Sequence, residues 1–132
     1  MLPPSADLAA HIRRGNDTPF ALGSMDCSLW AAEWVRIRTG RDLAASWRGQ
    51  YSTRREYMRL LLWDGGLVRV TARAMKAVGA SIIAPGEALP GDIGIVMTTD
   101  GPAIAVRGPK DWLAKIGDKL AACPVCSFAW RL

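Results

Sequence analysis

Histidine is nearly missing from this sequence: His11 is the single one in 132 residues. A reaction that needs an imidazole to move protons has one residue to draw on, near the start of the chain. Cysteine is sparse as well. Cys27, Cys123 and Cys126 are an odd number, and the first lies far from the other two, so a secreted-type disulfide framework is not expected and the thiols are read as reduced. No apolar run approaches the roughly 18 residues of a membrane-spanning helix, so no membrane partner is expected. The opening MLPPSADL lacks the basic start and apolar stretch of a secretory leader, and the chain is expected to be made and folded in a cytoplasm. Internal repeats and low-complexity tracts are also lacking, and no cofactor is expected.

What is present belongs to a folded protein. Half of the residues are hydrophobic, 22% are charged, and six tryptophans supply large core pieces. The length suits a single domain, 1–132, with one core. The net charge of +5 comes almost wholly from arginine, since only Lys76, Lys110, Lys115 and Lys119 are lysines. Arginine favours bidentate contacts with carboxylate or phosphate, so an acidic partner fits; solvated side chains are the simpler reading.

Periodicity divides the chain into a helical half, about 5–79, and a β-rich half, about 80–132. A short helix is expected from Ala6 to about Arg14, with Gly15 as its stop. Asp26–Thr39 sets Cys27, Trp30, Ala31, Trp34 and Val35 on one helical face, and Gly40 ends it. Ser52–Trp63 has a Ser cap with Glu56 four residues on and closes at Asp64-Gly65-Gly66; Leu67–Val78 follows, ended by Gly79. After Gly79 come short runs punctuated by Gly and Pro. Ser81–Ala84, Ile93–Thr98, Ala103–Arg107, Trp112–Ile116 and Ser127–Arg131 read as strands of an antiparallel sheet. Helices followed by a meander of strands predict an α+β fold, one helical layer on one sheet.

Several residues bear chemistry. Cys27 stands at a helix start, where unpaired N–H groups stabilise a thiolate, yet its i+3, i+4 and i+7 neighbours are apolar, which favours packing. Cys123 and Cys126 have the two-residue spacing of zinc and redox sites. A zinc ion needs four ligands, so the pair is a weak candidate by itself, and two thiols at a strand entry are the simpler reading. Trp47, beside Arg48 and ahead of Tyr51, is either a contact surface or a plug folded back over the helices. Arg55/Arg59 and Arg69/Arg73 fall at i,i+4 and can form positive strips; a solvated face is the simplest reading, a protein partner with acidic loops comes second and nucleic acid third. His11 reads as a solvated helix residue.

The stretch TPFALGSMDCSLWAAEWVRIRTGRD (18–42), with PGDIGIV (90–96), resembles the NlpC/P60 superfamily of papain-like cysteine peptidases. It resembles more closely a small branch found among phage tail-tip genes, the DUF6950-type proteins, which also end in a segment like FAWRL. The resemblance implies a papain-like α+β fold with N-terminal helices on a C-terminal antiparallel sheet. It makes Cys27, between Asp26 and Ser28, the nucleophile's position, and Pro90-Gly91-Asp92 the turn into a strand. Where the superfamily carries its catalytic histidine at the start of the next strand, this sequence has Pro102 or Ala103. Neither accepts a proton, so Cys27 is expected to be a vestigial nucleophile.

The expectation for function is therefore a structural or adaptor protein of a phage or phage-like tail tip, located in the virion, with other tail-tip and hub proteins as partners. Trp47, Arg48, Tyr51, Arg55 and Arg59 are its expected contact residues. The alternative is an active cysteine peptidase or amidase acting on peptidoglycan stem peptides, with His11 or Asp92 as an unconventional base.

Overall fold

A computed structural model of the chain describes residues 5–63 and 65–132; the first residues of the leader reading, Met1 to Pro4, and Asp64 of the Asp-Gly-Gly closure lie outside the described residues. Four helices, α1 (Ala6–Asp17), α2 (Cys27–Thr39), α3 (Arg54–Trp63) and α4 (Leu67–Ala77), precede the strands. These are β1 (Ser81–Ile83), β2 (Ile93–Thr98), β3 (Gly101–Arg107), β4 (Trp112–Ala114), β5 (Ala121–Cys123) and β6 (Cys126–Arg131). The fold is α+β.

Capping sets the helix starts. Ser5 Oγ accepts from Leu8 N at 3.2 Å, and Asp26 Oδ1 accepts from Leu29 N at 3.0 Å. On α3 the cap is Thr53 rather than Ser52: Thr53 Oγ1 accepts from Glu56 N at 3.2 Å, and the Glu56 carboxylate reaches back to Ser52 and Thr53. Gly15 does not stop α1, which runs on to Asp17. The glycine is a packing device: a Cβ there would sit 2.7 Å from Trp30 Nε1 and 2.9 Å from Leu120 Cδ2. Helix α2 is buried on more than one face, with Leu29, Trp30, Ala31, Ala32, Trp34 and Val35 all shielded from solvent. It is the central helix.

The six strands form one antiparallel sheet in the order β1-β6-β2-β3-β4-β5. Four strand spacings separate β6 from β5 in that order, about 19 Å in a flat sheet. Only three chain steps join Cys123 to Cys126, a reach of about 11 Å. The sheet must therefore curl. Its two faces bury different side chains: Ile93, Ile95, Ile104, Val106 and Trp130 belong to the main core with the helices, while Val96, Ala103, Ala105, Trp112, Ala114 and Ala129 form a second, smaller core. The expected arrangement, helices on one antiparallel sheet, is thus present, and the second core forms where alanines pack around Trp112.

The Pro90-Gly91-Asp92 turn ties the layers together. Gly91 O accepts from Trp34 Nε1 at 2.8 Å, and Gly91 N donates to Arg107 O at 2.8 Å. Asp92 pairs with Arg131 at 2.9 Å and accepts from Leu89 N at 2.8 Å.

Candidate functional site

The loop before α2 is built to hold Asp26. Gly23, at φ 88°, packs so tightly that a Cβ would lie 2.4 Å from Tyr51 O, and its N–H donates to Asp26 Oδ2 at 2.9 Å. Tyr51 OH donates to the same oxygen at 2.6 Å. With Leu29 N on the other oxygen, the buried Asp26 carboxylate is fully engaged in fixing the helix start.

Cys27 is the first residue of α2 and lies on a cleft of about 250 Å³. Tyr57, Met58, Leu61 and Leu62 of α3 line one wall; Pro102 and Ala103 at the start of β3 line another. Phe20, Arg54, Asp100 and the buried Lys115 are also among the lining residues. The polar side chains that reach the sulfur are hydroxyls: Ser28 Oγ at 3.9 Å, and Tyr57, whose OH is 2.8 Å from Ser28 Oγ.

Electrostatics disfavour the thiolate. Burial pushes the Cys27 thiol above its ordinary value and the Asp26 carboxylate adds to the rise; hydrogen bonding from the Ile104 backbone and the Ser28 and Tyr57 hydroxyls opposes both. The net direction is upward. Tyr57 is itself raised, chiefly by burial, so it holds its proton at neutral pH. A helix N-terminus favours an anion, but here desolvation wins.

The remaining expected bases lie elsewhere. His11 is not a solvated residue: it is 1% exposed, stacked on Trp30 at 4.7 Å, and its Nε2–H donates to Trp30 O at 2.9 Å. It borders a separate hollow with Arg14, Glu33 and Arg48, away from the Cys27 cleft. Asp92 is occupied by Arg131 and Leu89 N on the far side of the sheet turn, so it cannot serve as an unconventional base either. Burial of the two indoles around His11, and of the sheet end around Asp92, explains both corrections.

Trp47 and Tyr51 are likewise corrected as contact residues. Trp47 is 9% exposed and packs in the main core; it is the plug of the two readings. Tyr51 spends its hydroxyl on Asp26. Arg48 is exposed but paired with Asp42 at 2.7 Å, whereas Arg55 and Arg59 are exposed on α3. Cys123 and Cys126 are free thiols, half-buried against the second core, with Cys126 Sγ donating to Phe128 O at 2.9 Å, and among the described residues no group of three or more His, Cys, Asp or Glu gathers as a metal would need.

Sequence reasoning passed over Lys115. It is fully buried, yet its ammonium donates to Gly15 O at 2.7 Å and to the carbonyls of Thr18 and Asp118. Those carbonyls close the end of α1 and the loop before β5. Burial lowers the Lys115 pKa from its ordinary value, opposed by Asp118. Nothing local in the run Trp112–Ile116 announced it, because two of its three partners, Gly15 and Thr18, lie about a hundred positions earlier.

An α+β domain with a half-buried thiol at the head of its central helix, reached among the described residues by the Ser28 and Tyr57 hydroxyls, is the class this geometry defines. The chain belongs to the family described as a domain of unknown function (DUF6950), which matches residues 3–132. No curated protein and no solved structure matches it.

Proposed function

We propose that the chain is a non-catalytic structural or adaptor protein of a phage or phage-like tail tip, built on a degenerate NlpC/P60-type, papain-like scaffold. The observation that carries the non-catalytic part is the surrounding of Cys27. Pro102 and Ala103, at the positions where the resemblance puts the catalytic histidine, line the same cleft as the sulfur. Two hydroxyls are the polar side chains that reach it, and the thiol is shifted toward its neutral form. Acyl transfer needs a base for the thiol and an acid for the leaving amine, and this site supplies neither. The virion setting and the hub partners come from the resemblance alone.

The peptidase reading keeps one supporting feature, Cys27 at a helix N-terminus on an open cleft. Two measurements separate the readings. The purified protein should hydrolyse peptidoglycan stem peptides no faster than its Cys27→Ala variant, and it should be found in assembled particles, which should form poorly without it. Cys27-dependent cleavage overturns the non-catalytic reading. Normal particles that contain none of the protein overturn the structural role.

A further inference from the structure

The outer side of α3 is apolar where a solvated helix would be polar. Met58, Leu62 and Trp63 are 42%, 73% and 89% exposed, and Leu61 is the one buried residue of this ten-residue helix. The other five tryptophans are at most 9% exposed, so Trp63 stands apart from the core-forming role of its kind. With Arg55 and Arg59 these side chains border a shallow groove. Met58 and Leu62 also line the Cys27 cleft, so groove and cleft are one continuous surface with a shared wall.

We propose that this surface, the α3 groove and the cleft behind it, docks a protein segment that carries apolar anchors flanked by carboxylates. The proposal deepens the docking reading above and rests on it.

Charge selects the occupant. The ion pairs of the described residues, Arg36 with Glu33, Arg48 with Asp42 and Arg131 with Asp92, all lie elsewhere. Arg55 and Arg59 have no such partner among the described residues, and the nearby Glu56 carboxylate is committed to Ser52 and Thr53. Arg54 is held at the cleft mouth by Asp100 O at 3.3 Å, which leaves the Asp100 side as the acidic lip. Two unpaired guanidiniums beside exposed Met, Leu and Trp are complementary to carboxylates beside apolar side chains.

Shape narrows it further. At about 250 Å³ the cleft is smaller than the roughly 300–1,000 Å³ of small-molecule sites, and suits one or two inserted side chains. A flat bilayer does not enter such a cleft, and nucleic-acid phosphates gain nothing from Met58 and Leu62. Trp and Arg are among the residue types that carry most interface energy.

The test uses the full chain as bait for a displayed random 15-residue peptide library, with enriched peptides resynthesised for titration. Calorimetric titration gives the affinities of every variant, and acrylamide quenching of the wild type reports on Trp63, the exposed indole. Enriched peptides should combine apolar residues with net negative charge and should protect Trp63 from the quencher. Trp63→Ala should weaken them about 30-fold, as loss of one hot-spot side chain does. Arg55→Gln with Arg59→Gln should weaken them a few-fold and flatten the salt dependence. Leu62→Ser must lose affinity while keeping the wild-type thermal midpoint, which its exposure permits. Neutral or basic enriched peptides, no enrichment, or affinities indifferent to these variants overturn the proposal. So does stronger, α3-dependent binding to phosphatidylglycerol vesicles or to a 20-mer of oligothymidylate. Cys27-dependent hydrolysis, by contrast, would sink the non-catalytic reading while leaving peptide docking untouched.

Discussion

Tyr51 donates its hydroxyl to Asp26 Oδ2 at 2.6 Å across 25 residues of sequence, and this bond joins the loop after α2 to the residue that starts α2. The same pair removes an expected role, since it makes Tyr51 a buried anchor rather than a contact residue, and it fixes Asp26 as the cap of α2. Burial and the Asp26 carboxylate push the Tyr51 phenol well above its usual range, so it remains a donor at all ordinary pH.

Tyr51→Phe should therefore destabilise the fold by about 1–3 kcal/mol, the cost of leaving a buried acceptor short of a donor. Urea unfolding would measure it, and an unchanged midpoint would mean that water replaces the hydroxyl.

Cys27 should alkylate slowly. Its raised pKa means less thiolate at pH 7.5 than an ordinary thiol has, so iodoacetamide should modify it more slowly in the folded protein than in the urea-unfolded chain. The rate should keep climbing above pH 9. Faster labelling in the folded state would show an activated nucleophile.

His11 should make stability depend on pH in a defined window. Burial lowers its folded pKa, Arg14 acting in the same direction and the Trp30 carbonyl and Glu33 opposing. The unfolded chain takes up a proton near pH 6.5 and the folded chain only lower, so stability is intact above about pH 6.5 and declines as pH falls through it. His11→Phe should flatten the slope between pH 7 and pH 5 in thermal-melt series. A slope that survives the substitution would assign it to other groups.

Trp47→Ala should not be a silent surface change. Its indole is 9% exposed within the main core, so about 3–5 kcal/mol of stability should be lost, by the usual cost of deleting a buried aromatic. A folded variant of wild-type stability would return Trp47 to the surface.

Much of the local structure was legible. The start of the helix at Asp26-Cys27, the stop at Gly40 and the run Ile93–Thr98 appear where the sequence predicts them, because helix starts, glycine stops and periodicity act within a few residues. Strand β5 was not read: Ala121–Cys123 is a three-residue edge strand with no alternation, and it exists because Leu113 and its neighbours offer a ladder. Gly15 misled for a related reason. Its missing side chain serves Trp30 and Leu120, which no window around residue 15 contains.

The sequence by itself determined that Cys27 heads a helix and that the segment after Gly79 pairs as antiparallel strands, since both follow from short-range capping and patterning. Tertiary structure alone decided what meets them. Only folding brings Tyr51 to Asp26, Tyr57 to Ser28, and Pro102 to the Cys27 cleft. It also stacked His11 on Trp30 and left Trp63 outside, because burial is assigned by the closing of the whole core and not by the composition of any one helix.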